Sequence, residues 1–171
     1  MDTIKLKNEN LYRVFIYTPE IKDDTGKIIC ESKPTGEYLE FDLEDIELPF
    51  IYQEIIEKLK ESRKKLKNKF LIIEKQKDHK GKKLMSSNEE AKLKAMNEFY
   101  KEQVELYNMF LGENGVQKLL NGRKLRWTTL NEIDEIIEKE IAPKLDITLD
   151  NITNKIKNKY SKKKEEDNIL E

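Results

Sequence analysis

The stretch FLGENGVQKLLNGRKLRW, residues 110–127, holds three of the chain's six glycines, at 112, 115 and 122, and the pair Arg123-Lys124 follows the last. Glycines beside basic residues suggest a phosphate-cradling loop. A P-loop, however, needs four residues between its first glycine and a Gly-Lys-Ser/Thr, after a strand and before a helix. Here no hydroxyl follows Gly122-Arg123-Lys124, and the preceding segment has helical spacing. The glycine spacing of a dinucleotide fingerprint fails as well. The stretch therefore reads as a corner: Gly112 closes one helix, GVQKLL forms a short one, and NGRK turns before the next.

Upstream of the corner, Leu93, Met96, Phe99, Tyr100, Val104, Tyr107, Phe110 and Leu111 recur at helical spacing. SNEE from Ser87 reads as a capping box, its hydroxyl on the Glu90 amide and the Glu90 carboxylate reaching back. Further upstream, Tyr52, Ile55, Ile56, Leu59, Leu66, Phe70 and Ile73 predict a helix over 49–77, with Pro49 tolerated in its first turn. DHKGKKLMSS is the loop between the two. Downstream, Thr129 to Glu132 repeats the capping-box pattern. Leu130, Ile133, Ile136, Ile137 and Ile141 turn inward, and Pro143 should end or kink that helix.

The first forty-odd residues have strand character instead. LYRVFIYT (11–18) is apolar on both faces, which predicts a strand covered on part of each side. DDTGK supplies a turn through Asp24 and Gly26. KIICES continues as a second strand, KPTG turns, and EYLEFDL alternates as a half-buried third. Strands precede helices, so the expected class is α+β. It comprises an N-terminal three-stranded antiparallel β-meander (strands 11–43) and then four to five helices (49–145), in one domain over 1–145. Residues 146–171 read as a C-terminal helix through Ile152, Ile156 and Tyr160, then a charged tail.

Charge narrows the function classes. The chain is 39% charged, yet 33 basic residues nearly cancel 34 acidic ones, so no global field draws it to nucleic acid or membrane. Arginine occurs only at 13, 63, 123 and 126. The lysine excess follows codon bias, which discounts lysine runs as signals. Eight acids and no base lie between Glu37 and Glu57; twelve bases face four acids from Glu57 to Lys83. That polarity would suit contacts between copies or with a helical partner, and the basic 57–83 segment could track phosphates.

Catalytic signals are weak. His79 is the lone histidine, in a lysine-rich loop, and Cys30 is the lone cysteine, in a strand beside Ile28 and Ile29. No triad context surrounds either, no multi-cysteine zinc site can form, and no cofactor motif is present. The N-terminus lacks a hydrophobic signal region and no apolar run reaches membrane-spanning length, so a cytoplasmic protein is expected.

Aromatics at helical spacing ordinarily build core, but some line grooves for a client helix. The candidate partner-binding residues are Phe99, Tyr100, Tyr107 and Phe110, together with Arg123, Arg126 and Trp127 at the turn. In layout the chain resembles the tail assembly chaperones of phages and prophages of Gram-positive bacteria. A short β-meander precedes the aromatic helix MNEFYKEQVELYNMFLG, which runs into ENGVQKLLNGRK, and then comes the capped helix TLNEIDEIIEKEIAPKL. The resemblance covers 11–145. It implies no catalysis and no cofactor. It implies binding to an apolar, helix-rich tape-measure client, kept soluble in the bacterial host cytoplasm while tail-tube subunits polymerise around it. Self-association is compatible with it. The alternatives are a small structural or adaptor protein of tail or capsid, and a nucleic-acid-binding regulator using 57–83.

Overall fold

A computed structural model describes residues 11–145, with Asn154 and Lys157 beyond them. The expected final helix and charged tail lie outside the described residues. The chain divides into two compact units, Met1–Phe50 with Leu119–Glu171, and Ile51–Lys118.

The first unit contains strands and helices, so the α+β class stands, but the three-stranded meander does not form. Strand β1 (Leu11–Tyr17) pairs antiparallel with β4 (Pro34–Asp42), and the two short strands between them, β2 (Ile21–Lys22) and β3 (Ile28–Cys30), pair with each other. The physical reason is Pro19, which cannot donate to a ladder and breaks the first strand after Thr18. Thr18 then bridges the gap: its amide donates to the Lys33 carbonyl at 2.8 Å and its hydroxyl accepts from the Lys33 amide at 2.9 Å. KIICES is thereby confined to a small inner hairpin. Its turn is built by Asp23 rather than Asp24, the Asp23 carboxylate accepting from the Thr25 and Lys27 amides, with Gly26 at φ +83°.

KPTG, expected as a turn, is a bulge inside β4. Ile16 alone stands between Phe15 and Tyr17, while Thr35, Gly36 and Glu37 stand between their partners Pro34 and Tyr38. Gly36 takes φ +83°, and the Thr35 hydroxyl donates to the Ile16 carbonyl at 2.9 Å. Register then fixes the two faces. Val14 and Ile16 share one with Leu39 and Phe41, and Ile16, Leu39 and Phe41 are buried.

In the same unit, α4 (Trp127–Glu135) starts two residues before the expected Thr129 cap. The Thr129 hydroxyl instead accepts from the Arg126 amide at 2.7 Å, and Glu132, freed from capping, pairs with Arg123 at 2.8 Å. Pro143 acts as expected but over a longer span: residues Ile136–Ile141 form a π turn before α5 (Ala142–Lys144). A proline lacks the i→i−4 donor and its ring crowds that carbonyl. The wider turn lets Ala142 donate to Ile137, five residues back. It also serves packing. Ile133, Ile137, Ile141 and Leu145 are all buried. A strict spacing of four drifts around a 3.6-residue helix, and the extra residue in the turn takes up the drift.

The second unit is a helical hairpin. Helix α1 (Leu48–Lys75) supplies Ile55, Leu59, Ser62, Leu66 and Ile73 as buried positions, a heptad-like seam. Helix α2 (Ser87–Leu111) opposes it antiparallel. Tyr52 meets Phe110 at 5.1 Å between centroids, Ser62 meets Glu102 at 2.7 Å, Lys69 meets Glu98 at 2.9 Å, and Glu74 meets Lys92 at 2.8 Å. The α2 seam is Ala95, Phe99, Gln103, Leu106 and Phe110, not the broader stripe expected, since Leu93 is exposed and Met96, Tyr100 and Val104 are only half-buried. Gln103 belongs to the seam because α1 opposes it with Ser62, whose hydroxyl accepts from the amide at 3.1 Å. A buried polar pair of this kind fixes register, since sliding the helices would strand both groups.

The cap of α2 falls one residue earlier than expected. Ser86 and Glu89 form the box, because Ser87 and Asp78 are engaged in closing the loop. The Asp78 carboxylate accepts from the Asn88 amide at 3.1 Å and the Ser87 hydroxyl at 3.2 Å. These bonds, the Asn88 amide foremost, hold the Asp78 carboxyl below its ordinary value of 3.8. The stabilisation is therefore present above that value and is lost as pH falls through the depressed one. Carboxyl NMR should place the Asp78 midpoint below 3.8, with Asn88 amide exchange accelerating across the same interval. A midpoint at the ordinary value would contradict the loop closure.

At the corner, Gly112 ends α2 at φ +89° and α3 (Gly115–Leu120) follows. Gly115 is required by contact: an added Cβ would lie 2.4 Å from the Leu111 Cβ. The corner thus closes tightly over Val116, which is fully buried.

Candidate partner-binding site

The candidate residues fall in both units. In the hairpin, Phe99, Tyr107 and Phe110 are buried, with Tyr107 at 0% exposure, so their rings serve the core; Tyr100 is half-buried against Phe99, centroids 5.9 Å apart. In the strand-containing unit, Arg123 and Arg126 are exposed and Trp127 is 45% exposed. Arg123 is held by Glu132 and by the Leu120 carbonyl at 3.3 Å. Four of the seven belong to the hairpin unit and three to the strand-containing unit.

A different set lies together on one face. Strand β1 was expected to be covered on part of each side. On one side Ile16 is buried and Val14 half-buried; on the other, Phe15 is 63% and Tyr17 58% exposed. Register places Tyr38 opposite Phe15 and Pro34 opposite Tyr17, and the Phe15 and Tyr38 rings stand 6.0 Å apart. Beside them, Arg13 lies 4.8 Å from the Tyr38 ring centre and bonds Glu40 at 2.7 Å. Ile21, Ile28 and Ile29 of the inner hairpin are also exposed. The result is an aromatic centre with a charged pair at its edge, the composition of a protein-binding patch. The signal was present in the sequence. Alternation alone places Phe15 and Tyr17 with Arg13, and a strand face carrying an arginine is an open one.

The basic 57–83 segment is partly neutralised. Lys58 pairs with Glu54, Lys69 with Glu98 and Lys83 with Glu90. His79 uses its backbone, donating to Ser87 and accepting from it, and Cys30 is exposed with a free thiol. Among the described residues, no three His, Cys, Asp or Glu side chains converge as a metal site, and no helix is long and apolar enough to cross a membrane. Comparison with protein-family models, with curated proteins and with solved structures returns no match.

Proposed function

We propose that the chain is a non-enzymatic binding protein that seats an amphipathic helical segment on the outer face of β1 and β4. In this it would act as the tail assembly chaperones of its layout do. The observation that carries the reading is the open aromatic face of Phe15, Tyr17 and Tyr38. The client is the helix-rich tape-measure protein, bound in the host cytoplasm before tail-tube subunits close around it.

The energetics suit transient holding. Covering the exposed parts of three aromatic rings removes roughly 300 Å² of surface, about 7 kcal/mol gross at about 25 cal/mol per Å². Lost translational and rotational freedom offsets about 4 kcal/mol or more of that. A single site is therefore weak and reversible. Many copies along one long client supply the avidity, and polymerising tube subunits can displace them one at a time.

Co-expression with the tape-measure protein of the same genome tests the reading. The soluble fraction of the tape-measure protein should rise several-fold. Unchanged solubility, with the chain itself well expressed, would overturn it.

A further inference from the structure

The hairpin unit carries a second, unrelated surface. Between α1 and α2 on one flank runs a groove of about 340 Å³, lined by Lys69, Ile72, Ile73, Ala91, Lys94, Ala95 and Glu98. Ile72 projects there at 60% exposure, while Ala91 and Ala95, one turn apart on α2, leave a hollow. Farther along the same flank, helical spacing sorts the charges into two lanes. On α1 the flank carries Lys58, Lys65 and Lys69, with Glu61 the one exception. On α2 it carries Glu98, Glu102 and Glu105, with Lys94 the one exception. All six of those paired-lane residues are exposed.

We infer that this flank is the interface of a symmetric dimer, whose occupant is a second copy of the same hairpin. Charge complementarity selects both the partner and the orientation. Stack two flanks with the two-fold axis along the hairpin, and α1 of each copy lies over α2 of the other with both loops at the same end. The lysine lane then faces the glutamate lane twice. Because Lys69 and Glu98 stand level within one chain, 2.9 Å apart, they also stand level across the dimer. Ile72 of each copy enters the Ala91–Ala95 hollow of the other, so the contact is self-complementary. The perpendicular two-fold would set lysine over lysine, and it is excluded by repulsion. The opposed stretch, Lys58 to Ile72 on α1 and Ala91 to Glu105 on α2, is about 21 Å of helix, from the 1.5 Å rise per residue. Its face is smaller than the roughly 800 Å² per partner of a standard interface, so the dimer is weak and salt-sensitive. The surface lies in a different unit from the aromatic face, and neither inference depends on the other.

The test is charge reversal in the full chain. The variants are Lys58→Glu/Lys65→Glu/Lys69→Glu and Glu98→Lys/Glu102→Lys/Glu105→Lys, each checked for helicity by circular dichroism. Sedimentation at low salt should show a wild-type dimer whose dissociation constant rises at least tenfold at high salt. Each variant alone should be monomeric, and their equimolar mixture should dimerise. Ile72→Cys mixed with Ala91→Cys, both carrying Cys30→Ser, should cross-link between copies, which a tip-to-base arrangement could not do. A wild type that stays monomeric at about a hundred micromolar would overturn the inference. So would folded variants that dimerise alone as the wild type does, or that fail to recombine.

Discussion

Phe110→Ala will lower the unfolding free energy by about 3–5 kcal/mol, the cost of emptying a large aromatic site in a packed interior. Phe110 is 4% exposed and contacts Tyr52 across the base of the hairpin, where α2 runs into the Gly112–Gly115 corner. The corner leaves little room to collapse, since even a Cβ added at Gly115 would lie 2.4 Å from the Leu111 Cβ. Domains of this size hold about 5–15 kcal/mol in total. The variant should therefore lose about a fifth or more of its stability in urea, and the hairpin amides should lose exchange protection. Tyr100→Ala, one face away and half-buried, should cost about 1 kcal/mol. Similar losses at both positions would mean that Tyr100 is core and that the seam has been misplaced.

The second large effect concerns binding. Phe15→Thr with Tyr17→Thr keeps strand propensity and removes two exposed rings, so stability should change by no more than about 1 kcal/mol. Client affinity should fall about a hundredfold, equivalent to about 2.7 kcal/mol, because aromatic anchors dominate such interfaces. Isothermal titration against a tape-measure helical segment reads this directly. A binding loss that tracks an equal loss of folded protein would instead assign the rings a structural role.

The helices were legible wherever one period and one cap acted alone. Helix α1 runs over Leu48–Lys75 against an expected 49–77. The corner resolved as a turn because its glycines answer to backbone geometry and to Leu111. Legibility failed where partners decide. Ser62 and Gln103 look like surface residues until the antiparallel register sets them face to face. SSNEE offers two overlapping boxes, and the choice rests on Asp78, eight residues upstream of Ser86. The three-stranded meander failed at Pro19, whose missing donor leaves two separate two-stranded ladders instead. The aromatic face was legible only through Arg13: apolar residues lie on both sides of β1, and the arginine marks the uncovered one. The charge lanes of the hairpin appear only once the helices are aligned, although the acidic and basic blocks were visible as composition.

The most direct measurement is aromatic-ring NMR of the full chain titrated with an amphipathic tape-measure segment. Seating of the client on the outer sheet face predicts that the Phe15, Tyr17 and Tyr38 ring resonances shift and saturate together, while the buried Tyr107 and Phe110 rings stay in place. Saturating client that leaves those three rings unmoved, or that moves only rings of the 51–118 hairpin, would contradict it.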